Sequence, residues 1–174
     1  MNLRRDIKSI ETLTNGSRLS IPEEPGVYAF WWIDKRSRLL TANTHIVLAG
    51  PGGKEVDVHF KNWWPKDLAY PCLYVGKSTN LRKRFAQHLL RGSAGRVHKI
   101  PKTGRKQKAA TTSCQLRYGI EHIFPNEKKP LELIAKSVGF SYEVYKPEDI
   151  AERFFKEDLL IGKWRPWFNV DSER

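Results

Sequence analysis

Pro71-Cys-Leu-Tyr-Val-Gly-Lys-Ser-Thr-Asn-Leu-Arg-Lys-Arg-Phe-Ala-Gln-His-Leu-Leu90 is the stretch around which the chain is organised. Leu73-Tyr-Val75 reads as a short strand and Gly76 as a break. Ser78 or Thr79 reads as the cap of a helix over 79–91, with Gly92 as its stop. At about 100° per residue, Leu81, Phe85 and Leu89 share an arc of about 80°. Arg84, His88 and Arg91 fall beside that arc, along one edge of the helix. An edge position lets a polar group face a cleft while the helix stays docked. A strand feeding a cationic helix suits a phosphate, although a solvated basic surface would look the same in isolation.

The surrounding charge favours the phosphate. No acidic residue lies between Asp67 and Glu121, and that span carries twelve cations, equal to the net charge of +12. They are Lys77, Arg82, Lys83, Arg84, Arg91, Arg96, Lys99, Lys102, Arg105, Lys106, Lys108 and Arg117. A one-sided block on a folded chain is the footprint of a polyanion, so nucleic acid is the expected partner. All but Arg84 and Arg117 are expected to touch the DNA backbone. The 174 residues are 40% hydrophobic, enough for one domain with a core and too apolar for a disordered chain. No run approaches the ~18 apolar residues of a membrane span. Met1-Asn-Leu-Arg-Arg-Asp6 lacks the apolar stretch of a secretion signal. Cys72 and Cys114 have no His or second Cys at ligand spacing, which argues against zinc and fits a reduced cytoplasmic protein.

Working outward, residues 1–20 read as a basic N-terminal arm with loose helical spacing at Ile7, Ile10 and Leu13. Gly26-Val-Tyr-Ala-Phe-Trp-Trp-Ile33 is apolar on both faces, as in a strand covered on both sides. Residues 34–70 form an insertion with its own hairpin, 44–48 against 55–60 around the turn 49–53. Trp63 and Trp64 follow; packing of a satellite core is favoured over base stacking. Residues 92–140 hold a basic loop over 92–113, helices over 114–124 and 131–138, and the start of a strand over 140–145. The last helix starts at about 148 and runs to about Lys163. Ile150, Phe154 and Ile161, widened by Ala151, Phe155 and Leu159, read as its packed stripe. Glu157 falls at the margin of that stripe, and Asp158 nearer its middle. A carboxylate there costs free energy unless paired or metal-bound, so Asp158 is the rival of Glu157 for a metal role.

Together these pieces resemble the GIY-YIG nuclease family. Gly26-Val27-Tyr28 stands for its first motif and Tyr74-Val75-Gly76 for its second. Lys77, Arg84 and His88 are similar to its catalytic helix. Glu157 and Asn169 match its metal-binding Glu and later Asn, and Arg165-Pro-Trp-Phe-Asn169 is similar to the tail of the excision-repair incision subunit. The resemblance implies an α/β (α+β) fold, a small central antiparallel sheet flanked by helices, with the long connections as insertions. It implies a single domain over 1–174.

The implied activity is divalent-metal-dependent DNA endonuclease, of restriction type or a structure-specific repair or recombination nuclease. A non-catalytic binding module on the same fold is the competing class. The implied roles follow the motifs. Glu157 holds Mg²⁺ or Mn²⁺. Arg84 meets the phosphate. Tyr28 is the base, with its pKa lowered by Arg84, Lys77 and the metal. Tyr74 orients water or phosphate, and Asn169 supports Glu157. His88 is the alternative proton acceptor, directly or through Tyr28. A homodimer remains open, as cutting both strands of a palindrome would favour.

Overall fold

The computed structural model describes residues 3–15, 20–49, 55–90 and 115–169. The expected basic loop over 92–113, with Arg96, Lys99, Lys102, Arg105, Lys106 and Lys108, lies outside the described residues, as do Arg91 and Cys114 on either side of it.

A four-stranded antiparallel sheet of order β1-β6-β2-β5 forms the centre. Its strands are β1 (Lys8–Ser9), β2 (Gly26–Trp32), β5 (Cys72–Ser78) and β6 (Val138–Val144). Every residue of β2 is buried, because the strand is central and both faces are covered. On one face Tyr28, Phe30 and Phe140 pack against Phe85 and His88 of α3 (Leu81–Leu90). On the other, Trp31 packs on Trp164 of α6 (Ile150–Trp164) with ring centroids 4.8 Å apart, and its indole N–H donates to Ser141 Oγ at 2.8 Å.

The N-terminal arm is more structured than its spacing suggests. β1 extends the sheet beside β6, and Ser9 caps α1 (Ile10–Thr14) by accepting the Thr12 amide. The insertion forms the expected hairpin, β3 (His45–Ala49) with β4 (Glu55–His59), and adds the unforeseen α2 (Arg36–Leu40). Trp64 is buried and stacks on Trp167 at 4.4 Å, whereas Trp63 is exposed. The helices α4 (Gln115–Ile123) and α5 (Pro130–Ser137) fall where expected. The cap of α3 does not: Asn80 Oδ1 accepts the Lys83 amide at 2.8 Å, and Ser78 Oγ instead binds the Asn80 amide.

The largest correction concerns α6. Ile150, Phe154, Phe155 and Leu159 are at least half exposed, and Asp158 is exposed with them. The packed face is Arg153, Leu160 and Trp164, with Glu157 and Ile161 at its margin. Trp164 sets this rotation by docking on Trp31. Asp158 therefore points away from the sheet and loses its claim to a metal role.

Candidate active site

The two tripeptide motifs meet across one ladder. Tyr28 pairs with Gly76, and Phe30 pairs with Tyr74. The Tyr28 ring lies over the Gly76 backbone. A Cβ at Gly76 would come within 2.6 Å of Tyr28 Cζ and 2.8 Å of Tyr74 Cε1. Gly26 is needed for a similar reason, since a Cβ there would stand 2.5 Å from the Glu143 carbonyl oxygen. Both motif glycines are thus explained by close approach rather than by a turn.

Behind the ladder is a polar cluster. Arg84 Nε donates to Tyr28 Oη at 3.0 Å, and Tyr28 Oη lies 2.8 Å from His88 Nε2. The Tyr74 ring completes the cluster, with its centroid 6.0 Å from that of Tyr28 and 5.0 Å from that of His88. The sequence places His88 on a cleft-facing edge, but its ring is fully buried against Phe30, Tyr28 and Tyr74. Its Nδ1 has no hydrogen-bond partner among the described residues. Burial, with the Arg84 charge adding to it, holds the His88 pKa well below the usual imidazole value, so the ring is neutral. A proton delivered to His88 would create a buried imidazolium beside a guanidinium. That weighs against His88 as the proton acceptor, either directly or through Tyr28.

The tyrosines differ as well. Burial pushes Tyr28 well above the normal phenol value and Tyr74 adds to the rise, while Arg84 pulls the other way. Tyr74 is raised by burial too, with Arg84 opposing and the Glu157 charge adding to the increase. The lowered Tyr28 pKa expected from the sequence is therefore reversed: burial outweighs Arg84, and the Lys77 ammonium is paired with Glu157.

Glu157, Asn169 and the tail finish the outer edge of β5, whose inner edge pairs with β2. The Phe168 amide donates to the Leu73 carbonyl at 2.8 Å. The Val75 amide donates to Asn169 Oδ1 at 2.8 Å, and Asn169 Nδ2 donates to the Val75 carbonyl at 2.7 Å. The Lys77 amide donates to Glu157 Oε1 at 3.1 Å, and the Lys77 ammonium pairs with Glu157 Oε2. Open strand edges leave such groups unpaired; here two side chains supply what a further strand would. Asn169 therefore supports β5 directly and fixes the tail against it.

The insertion holds that tail in place, a role the sequence did not disclose. Arg165 adopts the left-handed conformation (φ 52°) at the end of α6, which reverses the chain toward β5. Trp63 donates its indole N–H to the Arg165 carbonyl at 3.1 Å, and Trp167 donates to the Lys61 carbonyl at 2.8 Å. Adjacent Trp residues signalled packing, but not what they would pack against.

Among the expected DNA contacts that are described, Lys83 is exposed. Arg82 is committed elsewhere, donating to the Ile21 carbonyl at 2.7 Å and to Glu23 Oε1 at 2.6 Å. Glu157 is the carboxylate available to a divalent ion. Its side chain is 12% exposed and already holds one cationic group, the Lys77 ammonium. One carboxylate completed by water and phosphate oxygens is a common magnesium arrangement, so the residues fit the ion. No cluster of three His, Cys, Asp or Glu that could hold a metal occurs among the described residues.

No family model and no curated protein matches the chain. Two solved structures are similar to it, both point mutants of the GIY-YIG N-terminal endonuclease domain of UvrC from Thermotoga maritima bound to its catalytic divalent cation. Identity is 18% and 19%, coverage is 87% of this chain and 89% of each matched chain, and the TM-score is 0.35 for both. Both belong to the family that the sequence resembles. At that TM-score, the functional reading rests on the side chains themselves.

Proposed function

We propose that the protein is a divalent-metal-dependent DNA endonuclease of the GIY-YIG type that leaves a 5′-phosphate and a 3′-hydroxyl. The observation that carries the reading is that β5 joins the two halves of the site: it pairs Tyr74 with the strand of Tyr28, whose hydroxyl holds Arg84 at 3.0 Å, and three residues on its Lys77 amide holds Glu157 at 3.1 Å. A phosphate-binding cation, a phenol and a metal-ligating carboxylate then converge on one strand end.

Glu157 would hold Mg²⁺ or Mn²⁺, which when bound supplies charge stabilisation to the phosphate and the departing 3′ oxygen. Arg84 offers guanidinium N–H groups to the phosphoryl oxygens, where negative charge grows during in-line attack. Water adds to phosphorus, its proton passes to a base, the bond to the 3′ oxygen breaks, and the departing alkoxide takes a proton from solvent to become the 3′-hydroxyl.

We assign that base to Tyr74 in place of Tyr28. Tyr28 is 1% exposed and enclosed by His88, Phe30 and Phe140, while Tyr74 is nearer the surface at 6%. Burial is the main cause of the raised Tyr74 pKa; a cation on Glu157 would cancel the carboxylate's addition to it, and Arg84 favours the phenolate. Tyr28 then positions Arg84 by accepting its Nε–H. Single-turnover cleavage separates the roles. Tyr74→Phe is expected to lose about 10²–10⁴-fold in rate, the span of general-base contributions. Tyr28→Phe is expected to lose less, and the opposite order contradicts the assignment.

A restriction-type role is favoured by the insertion between the two motif strands. Its β3–β4 hairpin is a two-stranded ribbon, an element that a major groove admits.

A further inference from the structure

The acidic side chain of the site is not open. Both oxygens of Glu157 are engaged by a single residue, Oε1 by the Lys77 amide and Oε2 by the Lys77 ammonium. A third group completes the arrangement. Phe154 lies three residues before Glu157 on α6, and the Lys77 Nζ stands 3.8 Å from its ring centroid. Phe154 is half exposed, so it does not fill the core. Its ring face presents negative charge density to the ammonium, and the attraction is strongest where water is partly excluded. Lys77 and Glu157 are 27% and 12% exposed, so this pair is more shielded than an ordinary surface ion pair.

We propose that Lys77 is the resident counter-ion of Glu157, which a divalent ion must displace, and that Phe154 is the positioning residue holding it there. The inference rests on the metal-holding role proposed for Glu157. The two contacts of Lys77 differ in kind. The amide bond to Oε1 belongs to the finished strand edge and stays. The ammonium on Oε2 is held by charge and by the aromatic ring, so it is the part that exchanges. Oε2 is thus the oxygen offered to the incoming ion, with Oε1 fixing the carboxylate orientation.

The released ammonium needs a new anion. A phosphodiester beside the site supplies one, so metal and DNA backbone help each other bind. Without DNA, the lysine lowers the affinity for a free ion and limits occupation of the site when no substrate is present.

Calorimetric titration with Mn²⁺ in the absence of DNA tests this. Lys77→Met removes the competing cation and is expected to bind Mn²⁺ about tenfold more tightly than the wild type, and Phe154→Leu a few-fold more tightly. Phe154→Trp keeps a ring face and is expected to retain the wild-type affinity. A misfolded variant loses affinity, so tightening cannot arise from damage to the fold. Unchanged or weaker binding by Lys77→Met overturns the proposal, as does an absence of binding in both proteins. Glu157→Gln distinguishes the two levels. Abolished binding in that variant retains the metal role of Glu157 whatever Lys77→Met shows, and undiminished binding removes it.

Discussion

His88 shows how far a single residue can depart from its position in a sequence pattern. Its spacing from Arg84 is that of a helix edge, yet it is among the most buried side chains and faces Tyr28 across the core. Helical spacing gives direction around the axis but not the depth to which a neighbouring sheet reaches. Tyr28, Phe30 and Tyr74 close over the ring because β2 and β5 place these aromatics on the α3 side. A measurable consequence concerns pH. The folded-state pKa of His88 is depressed, so the stability it contributes is present above its unfolded value of 6.5 and is lost as pH falls below that value. Thermal unfolding should therefore show a Tm that declines between pH 7.5 and pH 5, with up to about 1.4 kcal/mol of stability lost per pH unit from this group. His88→Phe should flatten that decline whatever it does to the absolute Tm. An unchanged slope would mean that His88 is not held neutral by burial.

Apart from β1, the strands and most helices were legible because their signals are local. Alternation and turn residues mark β3, β4 and β6, and apolar runs mark β2 and β5. The rotation of α6 was not, since its most conspicuous apolar residues face outward. What turns the helix is the long-range contact of Trp164 with Trp31, together with the hold of Glu157 on the Lys77 amide. Phe154 has a use in its contact with Lys77; nothing among the described residues explains the exposure of Phe155 and Leu159. Residues of the site were recognisable from motif spacing, yet the spacing could not show that Asn169 completes the edge of β5. That role makes a prediction at the level of the strand. Asn169→Ala leaves the Val75 amide and carbonyl without their side-chain partners and is expected to cost about 1–3 kcal/mol in urea unfolding. A loss below about 0.5 kcal/mol would show that the edge does not depend on this amide.

Across the whole molecule, three parts serve one strand end. The sheet aligns Tyr28 and Tyr74, α3 brings Arg84 to them, and α6 with the tail brings Glu157 and Asn169 to the outer edge of β5. The insertion secures the tail through Trp63, Trp64 and Trp167. Among the described residues no helix is long and apolar enough to cross a membrane. The cationic block that suggested a polyanion contributes Lys77 and Arg84 to this arrangement, and its excess of charge suits a phosphodiester backbone. The most direct measurement is the conversion of supercoiled plasmid by the purified protein with Mg²⁺, with Mn²⁺ and with a chelator, followed by sequencing of the ends. The account predicts metal-dependent nicking or linearisation with 5′-phosphate and 3′-hydroxyl ends, abolished in Glu157→Gln and Arg84→Ala although both still shift DNA in a gel. Binding without cleavage by the wild type under all metal conditions, or undiminished cleavage by either variant, would contradict it.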